Sequence, residues 1–199
     1  VDPHGYTAKP SDADKLKEAD VIFYNGLMLE GQIETMLVGM KKNNKYVYAV
    51  TEKIPTDRLL KPEEFEGHHD PHVWFDPTLW VHCLDVVVEG LSAADVANKN
   101  KYMKNGAKLR VEFLSLHEWA KVRMADLPEN PLLITSHDAF NYFGRAYDLE
   151  VVGLQSISTE DEASAKRFTE IADRIKKHKV KAVFTESSVN PAPIEQLCK

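Results

Sequence analysis

The chain has 199 residues, 43% hydrophobic and 28% charged, with 25 basic against 31 acidic side chains and a net charge of −6. Enough apolar side chain is present for a folded core, which excludes a disordered chain. A mildly acidic composition without a basic block excludes nucleic acid as the expected partner, because that affinity comes largely from Lys and Arg on phosphates.

No run of about 18 apolar residues occurs, so no membrane-spanning helix is expected. Cys83 and Cys198 lack metal or redox spacing and are too few for a disulfide framework. No secretion-signal pattern stands at Val1. The chain reads as a segment of a longer protein, opening inside a motif and stopping inside a helix.

Taken in order, the elements alternate between strand-like and helical patterns. Ser11–Ala19 reads as a short polar helix capped by Ser11, with Asp12 and Asp14 in its first turn. Val21–Tyr24 is an apolar strand punctuated by Asn25-Gly26. A helix from Leu29 to Met40, a strand over Tyr46–Val50 and a charged loop over Lys53–Gly67 follow. Asp76-Pro77 opens the next helix, with proline in its favoured first turn, and the pattern continues to Leu91.

Asn98–Ala125 supports one long helix of about 28 residues, or ~42 Å. Tyr102, Leu109, Phe113, Leu116, Ala120 and Met124 recur at three- and four-residue spacing and form its expected inward stripe. Gly106 weakens its middle. Beyond Pro128 and Pro131 come a strand (Leu132–Thr135), a helix (Ala139–Tyr147) and a second strand (Val151–Leu154). A helix (Glu160–Lys177), a third strand (Lys181–Thr185) and a helix opening at Pro193 complete the chain.

Strands separated by helices predict an α/β protein with parallel sheets. Two such blocks joined by one long helix predict two lobes on a rigid strut. The expected organisation is an N-terminal lobe over 1–97, a linker helix over 98–127 and a C-terminal lobe over 128–199.

In open parallel sheets ligands sit beyond the carboxyl ends of strands, and three of the eight histidines fall there. His137 follows the Leu132–Thr135 run. His72 lies in Asp70-Pro71-His72-Val73-Trp74, and His4 in Asp2-Pro3-His4-Gly5. A proline before the histidine restricts the backbone, and restrained imidazoles suit a metal site. The competing reading is three hydrogen-bonded structural histidines.

Glu186 ends the Val183–Thr185 run. It either accepts the second N–H of an imidazole or caps a helix start. His68 and His69 are solvated loop side chains or a loose metal-recruiting patch. His82, His117 and His178 read as surface or packing residues. Trp74, Phe75, Phe140, Tyr142 and Phe143 are expected to wall the cleft and pack the lobes. G-x-S-x-G, H-E-x-x-H and a Gly-rich phosphate loop are all missing from these 199 residues. A zinc hydrolase with Glu186 or Asp138 as general base stays open as an alternative.

Five segments carry a family resemblance. They are Val1-Asp2-Pro3-His4, Val21-Ile22-Phe23-Tyr24-Asn25-Gly26-Leu27 and Asp70-Pro71-His72-Val73-Trp74-Phe75-Asp76, then Thr135-Ser136-His137-Asp138-Ala139-Phe140 and Phe184-Thr185-Glu186-Ser187-Ser188-Val189. Together they resemble the TroA-type zinc/manganese solute-binding proteins of bacterial ABC transporters, over nearly the whole chain.

The resemblance implies two α/β lobes bridged by one long helix, with a divalent metal ion held between them. It implies delivery of that ion to a membrane permease, with the protein a monomer that is periplasmic or lipid-anchored on the outer face of the cytoplasmic membrane. His4, His72 and His137 match the first three ligands, and a fourth, an Asp, is expected beyond Lys199. Histidine at the third position favours Zn²⁺, with Mn²⁺ the alternative. Relatives sit as lipoproteins on cell surfaces, which gives a third reading, an adhesin-like surface protein. No catalysis is expected.

Overall fold

The computed structural model describes residues 2–42, 46–159, 164–187 and 189–197. Val1, Ser188 and Cys198 of the sequence reading lie outside them, as does the expected helix start at Glu160.

The N-terminal lobe begins with α1 (Pro10–Glu18), β1 (Val21–Tyr24), α2 (Gln32–Lys42) and β2 (Tyr46–Ala49). Ser11 is not the cap of α1. Lys9 flanks the helix and Pro10 takes its first position, where a fixed φ and a missing N–H cost nothing. The Asp12 carboxylate then accepts the Lys9 backbone N–H at 2.9 Å. β1 and β2 pair in parallel, Val21 opposite Tyr46 through Tyr24 opposite Ala49. Val50, expected in the strand, instead opens a 3-10 turn.

Helix α3 (Pro77–Ala94) starts as expected, with the Asp76 side chain accepting the Thr78 N–H at 2.9 Å. A 3-10 turn at Val96–Asn98 leads into α4 (Lys99–Met124). Its 26 residues span about 39 Å.

The inward face of α4 differs from the expected stripe. Leu109 and Leu116 are exposed, at 37% and 50%. Tyr102, Phe113, Ala120 and Met124 turn inward as expected, joined by Gly106, Arg110 and His117. The reason is the close approach of α3: a Cβ at Gly106 would lie 2.4 Å from Val88 Cγ2. Gly106 thus sets the packing distance of the two helices, and the residues in register with it follow.

The C-terminal lobe contains β3 (Leu132–His137), α5 (Asn141–Tyr147), β4 (Glu150–Gln155), α6 (Ala165–His178) and α7 (Ala192–Leu197). β3 and β4 pair in parallel from Leu132–Glu150 to His137–Gln155. β3 therefore runs two residues further than expected and carries His137 as its last residue. Helix α6 is capped by Ser164, whose side chain accepts the Arg167 N–H at 3.1 Å.

The expected strand over Lys181–Thr185 reduces to one parallel bridge between Phe184 and Thr135. The Phe184 N–H reaches Ile134 O at 2.9 Å, whereas Lys181 and Ala182 stay at the surface.

Three apolar clusters hold the structure. Ile22, Leu37 and Val47 pack under the first sheet, and Ile134, Val152, Leu154, Ile171 and Ile194 under the second. The third joins Val50, Ile54, Val73, Leu79 and Cys83 of the N-terminal lobe to Tyr142 of α5. Among the described residues no helix is long and apolar enough to cross a membrane.

Candidate metal centre

His4, His72 and His137 converge between the lobes, and all three are buried. The Nε2 atoms of His4 and His72 stand 3.1 Å apart, and those of His137 and His72 stand 3.3 Å apart. One ligand atom from each lies within 4.8 Å of the others. Imidazole nitrogens about 2.0–2.1 Å from a tetrahedral zinc are separated by ~3.3 Å, the edge of that tetrahedron. The His4–His72 and His72–His137 separations have that dimension.

Each histidine is positioned differently. In Asp70-Pro71-His72, the Asp70 Oδ1 accepts the His72 backbone N–H at 2.9 Å and the imidazole Nδ1–H at 2.8 Å. That fixes the tautomer: Nδ1 carries the proton, and the Nε2 lone pair faces the centre. Asp70 is fully buried, and its second oxygen accepts from Asn141 Nδ2 at 3.3 Å.

His137 ends β3, and its backbone N–H donates to Glu186 Oε1 at 3.1 Å. Its Nδ1 lies 2.7 Å from Glu186 Oε2. The contact is off the ring N–H axis, so it is electrostatic and not a formed hydrogen bond. Glu186 thus engages His137 and does not cap a helix. Gly153 of β4 permits this arrangement, because a Cβ there would meet Asp138 N at 2.3 Å.

His4 follows Asp2-Pro3, and its backbone N–H donates to Asp2 Oδ1 at 3.1 Å. The other Asp2 oxygen accepts from the Thr159 hydroxyl of the opposite lobe. Gly31, at φ +51°, lies directly under the His4 carbonyl, where a Cβ would approach the oxygen to 2.8 Å. Burial, and next the neighbouring His72, lower the His4 pKa to about 4, against the opposing pull of Asp2. Its imidazole is therefore held neutral, with a lone pair free for a cation.

Asp138 faces away from the cluster, on a cavity of about 550 Å³ lined by Leu60, Lys61, Glu63, Glu64 and Asn141. Burial, reinforced by a hydrogen bond with Glu64, pushes its carboxyl up to about 7. Asp138 is not one of the three clustered ligand candidates, and Glu186 is engaged with His137.

His68 and His69 are not brought into the cluster. His68 is exposed and leans on Phe65, with ring centroids 5.1 Å apart. His69 is half-buried, and its desolvation lowers its pKa. His117 packs on Tyr147 at 5.5 Å. Trp74 sits edge-on to His72 at 5.3 Å, and Phe75 meets Phe140 across the lobes at 4.2 Å. These contacts match the expected wall. Tyr142 packs the lobes as expected, whereas the part played by Asn141 carries no spacing signal in the sequence.

Residues 1–199 match the family described as ZnuA, zinc-uptake complex component A, periplasmic. The chain is 38% identical over 197 residues to the manganese-binding lipoprotein MntA of Bacillus subtilis (strain 168), covering 98% of this chain and 63% of that protein. It is 40% identical over 201 residues to the zinc-binding protein TroA of Treponema pallidum (strain Nichols), covering 99% and 63% respectively.

The solved structure of the periplasmic zinc-binding protein TroA from Treponema pallidum superposes with a TM-score of 0.93 at 38% identity. That match covers 99% of this chain and 70% of the solved one. The chain spans 63% of the length of these two curated relatives. On sequence and fold together, the chain belongs to the ZnuA family of zinc-uptake complex component A proteins.

Proposed function

We propose that the protein captures one divalent transition-metal ion between its lobes, with His4, His72 and His137 as ligands, and delivers it to the membrane permease of an ABC transporter. The observation that carries this reading is the convergence of three buried imidazoles from both lobes, with His72 at tetrahedral-edge spacing from each of the other two. Zinc is favoured, because three neutral nitrogen donors suit Zn²⁺ better than the harder Mn²⁺. One relative is named for manganese and another for zinc, so Mn²⁺ stands as the alternative cargo.

Asp70 orients the His72 imidazole and raises its basicity as a donor, while Glu186 holds the His137 backbone and lies beside its ring. The metal is cargo, bound and passed on without bond-breaking chemistry. His68 and His69, on the loop ahead of His72, offer weaker imidazole contacts for recruitment. The lipoprotein name of MntA supports a place on the outer face of the cytoplasmic membrane or in the periplasm. Neither the hydrolase nor the adhesin reading is favoured by these relatives.

Metal analysis of protein purified without chelator tests this. One equivalent of zinc is expected in the wild type and a substoichiometric trace in His72→Ala and His137→Ala. Equal metal content in all three would overturn the ligand assignment.

A further inference from the structure

Tyr142 belongs to α5 of the C-terminal lobe, yet its fully buried ring packs among Val50, Ile54, Val73 and Leu79 of the N-terminal lobe. Its hydroxyl donates to Asp70 O at 2.8 Å and accepts the Leu60 N–H at 3.1 Å. Leu60 O in turn accepts the Asp70 N–H at 3.0 Å. The tyrosine hydroxyl therefore closes the neck of the loop running from Leu60 to Asp70. The neighbouring Asn141 donates to the Asp70 carboxylate at 3.3 Å, and the next turn's Arg145 donates to Arg58 O at 2.7 Å.

The Tyr142, Asn141 and Arg145 contacts all cross from the C-terminal lobe onto the segment that leads to His72. Asp70 is the carboxylate that orients the His72 imidazole. Burial raises the Tyr142 phenol well above its ordinary range, so it keeps its proton as a donor.

From this geometry we propose that Tyr142 is a positioning residue for the metal ligand His72, acting through Asp70, with Asn141 assisting. The consequence is that His72 and His137 share one frame although they come from different lobes. His4 joins that frame through its own contacts at Asp2 and Gly31. Tyr142 does not touch the cargo. This inference rests on the metal-capture reading above.

The test is Tyr142→Phe in the 199-residue chain, which keeps the ring and removes both hydrogen bonds. Chelator competition should show zinc affinity about 10-fold weaker, within the range seen when an outer partner of a ligand is lost. Proton NMR of the metal-free chain should show the His72 Nδ1–H exchanging at least ~10-fold faster with solvent, as expected when a protecting hydrogen bond is freed. The ring signals of His137 should not move.

Unchanged zinc affinity would overturn the inference. So would an affinity loss with His72 Nδ1–H exchange as in the wild type, which would mark Tyr142 as a support of the fold alone. If Tyr142→Phe does not fold, Asn141→Ala carries the same pair of measurements, with a few-fold loss expected and the same overturning results. A wild type that takes up no zinc would instead defeat the metal-capture reading, a result distinct from a wild type that binds and variants that match it.

Discussion

Asp2-Pro3-His4 and Asp70-Pro71-His72 are the same three residues in the same order, and they serve one centre in different ways. In both, the aspartate accepts the backbone N–H of the histidine two residues on, at 3.1 and 2.9 Å. This local turn follows from the tripeptide itself, since proline restricts the backbone and a short carboxylate reaches two residues forward.

The imidazoles then part company. Asp70, fully buried, also accepts the ring N–H of His72. Asp2 instead spends its second oxygen on Thr159 across the cleft. A tripeptide can encode the turn. Whether its carboxylate orients the ligand or ties two lobes together is decided by what packs around it.

That contrast can be broken first at the ligands. His72→Ala should weaken zinc binding by more than the roughly 100-fold that marks the upper range for loss of an outer partner. His4→Ala should cost less, because His72 and His137 keep their supports; calorimetry of both variants checks the order. One step outward, Asp70→Asn should weaken zinc by about 10- to 100-fold. Asp2→Asn should cost several times less, since Asp2 orients the His4 backbone and not its ring. Equal losses would mean the two tripeptides act alike.

The glycines beneath two of the ligands give a smaller effect. Gly153→Ala forces a Cβ to 2.3 Å from Asp138 N and should destabilise the chain by about 1–3 kcal/mol through overpacking. Gly31→Ala must hold φ +51° and crowd the His4 carbonyl, at a cost of about 1–2 kcal/mol for a side chain in the left-handed region. Thermal unfolding of the metal-free variants measures both, with only Gly153→Ala displacing His137.

The smallest effect is on pH dependence. His4, lowered from 6.5 to about 4, leaves the unfolded chain binding a proton that the folded chain refuses. Stability therefore falls as pH drops from about 6.5 to 4. Asp138, raised from 3.8 to about 7, has the opposite sign: its contribution is present below 3.8 and lost as pH rises through 7. Asp138→Asn should therefore gain stability near pH 7, lose that gain by about pH 4, and expose the acid sensitivity due to His4. Unfolding curves of the metal-free chain between pH 4 and 8 check this.

Much of this was legible in the sequence. Alternating apolar runs and helical spacing pointed to the parallel α/β elements and the long helix, and the residues beside strand ends to the three histidines that cluster. What escaped was set by tertiary packing. The inward face of α4 was legible only in part: Tyr102, Phe113, Ala120 and Met124 lie inward as expected, but Gly106, the contact with α3, shares that face while Leu109 and Leu116 lie outside. Ser11 lost the cap of α1 to the Pro10 start and the reach of Asp12. Lys181–Thr185 has strand composition but a single bridging residue. Glu186 stood open between two roles, and only the position of His137 beside it decides. Tyr142 packs the lobes as expected, but nothing in the pattern of its helix marks the bonds of its hydroxyl to Asp70 and Leu60.

Zinc K-edge X-ray absorption of the loaded chain tests the central claim most directly. Three imidazole scatterers about 2.0–2.1 Å from the metal are predicted, falling to two in His137→Ala. Fewer than three imidazoles in the wild type, or a sulfur scatterer near 2.3 Å, would contradict the three-histidine centre.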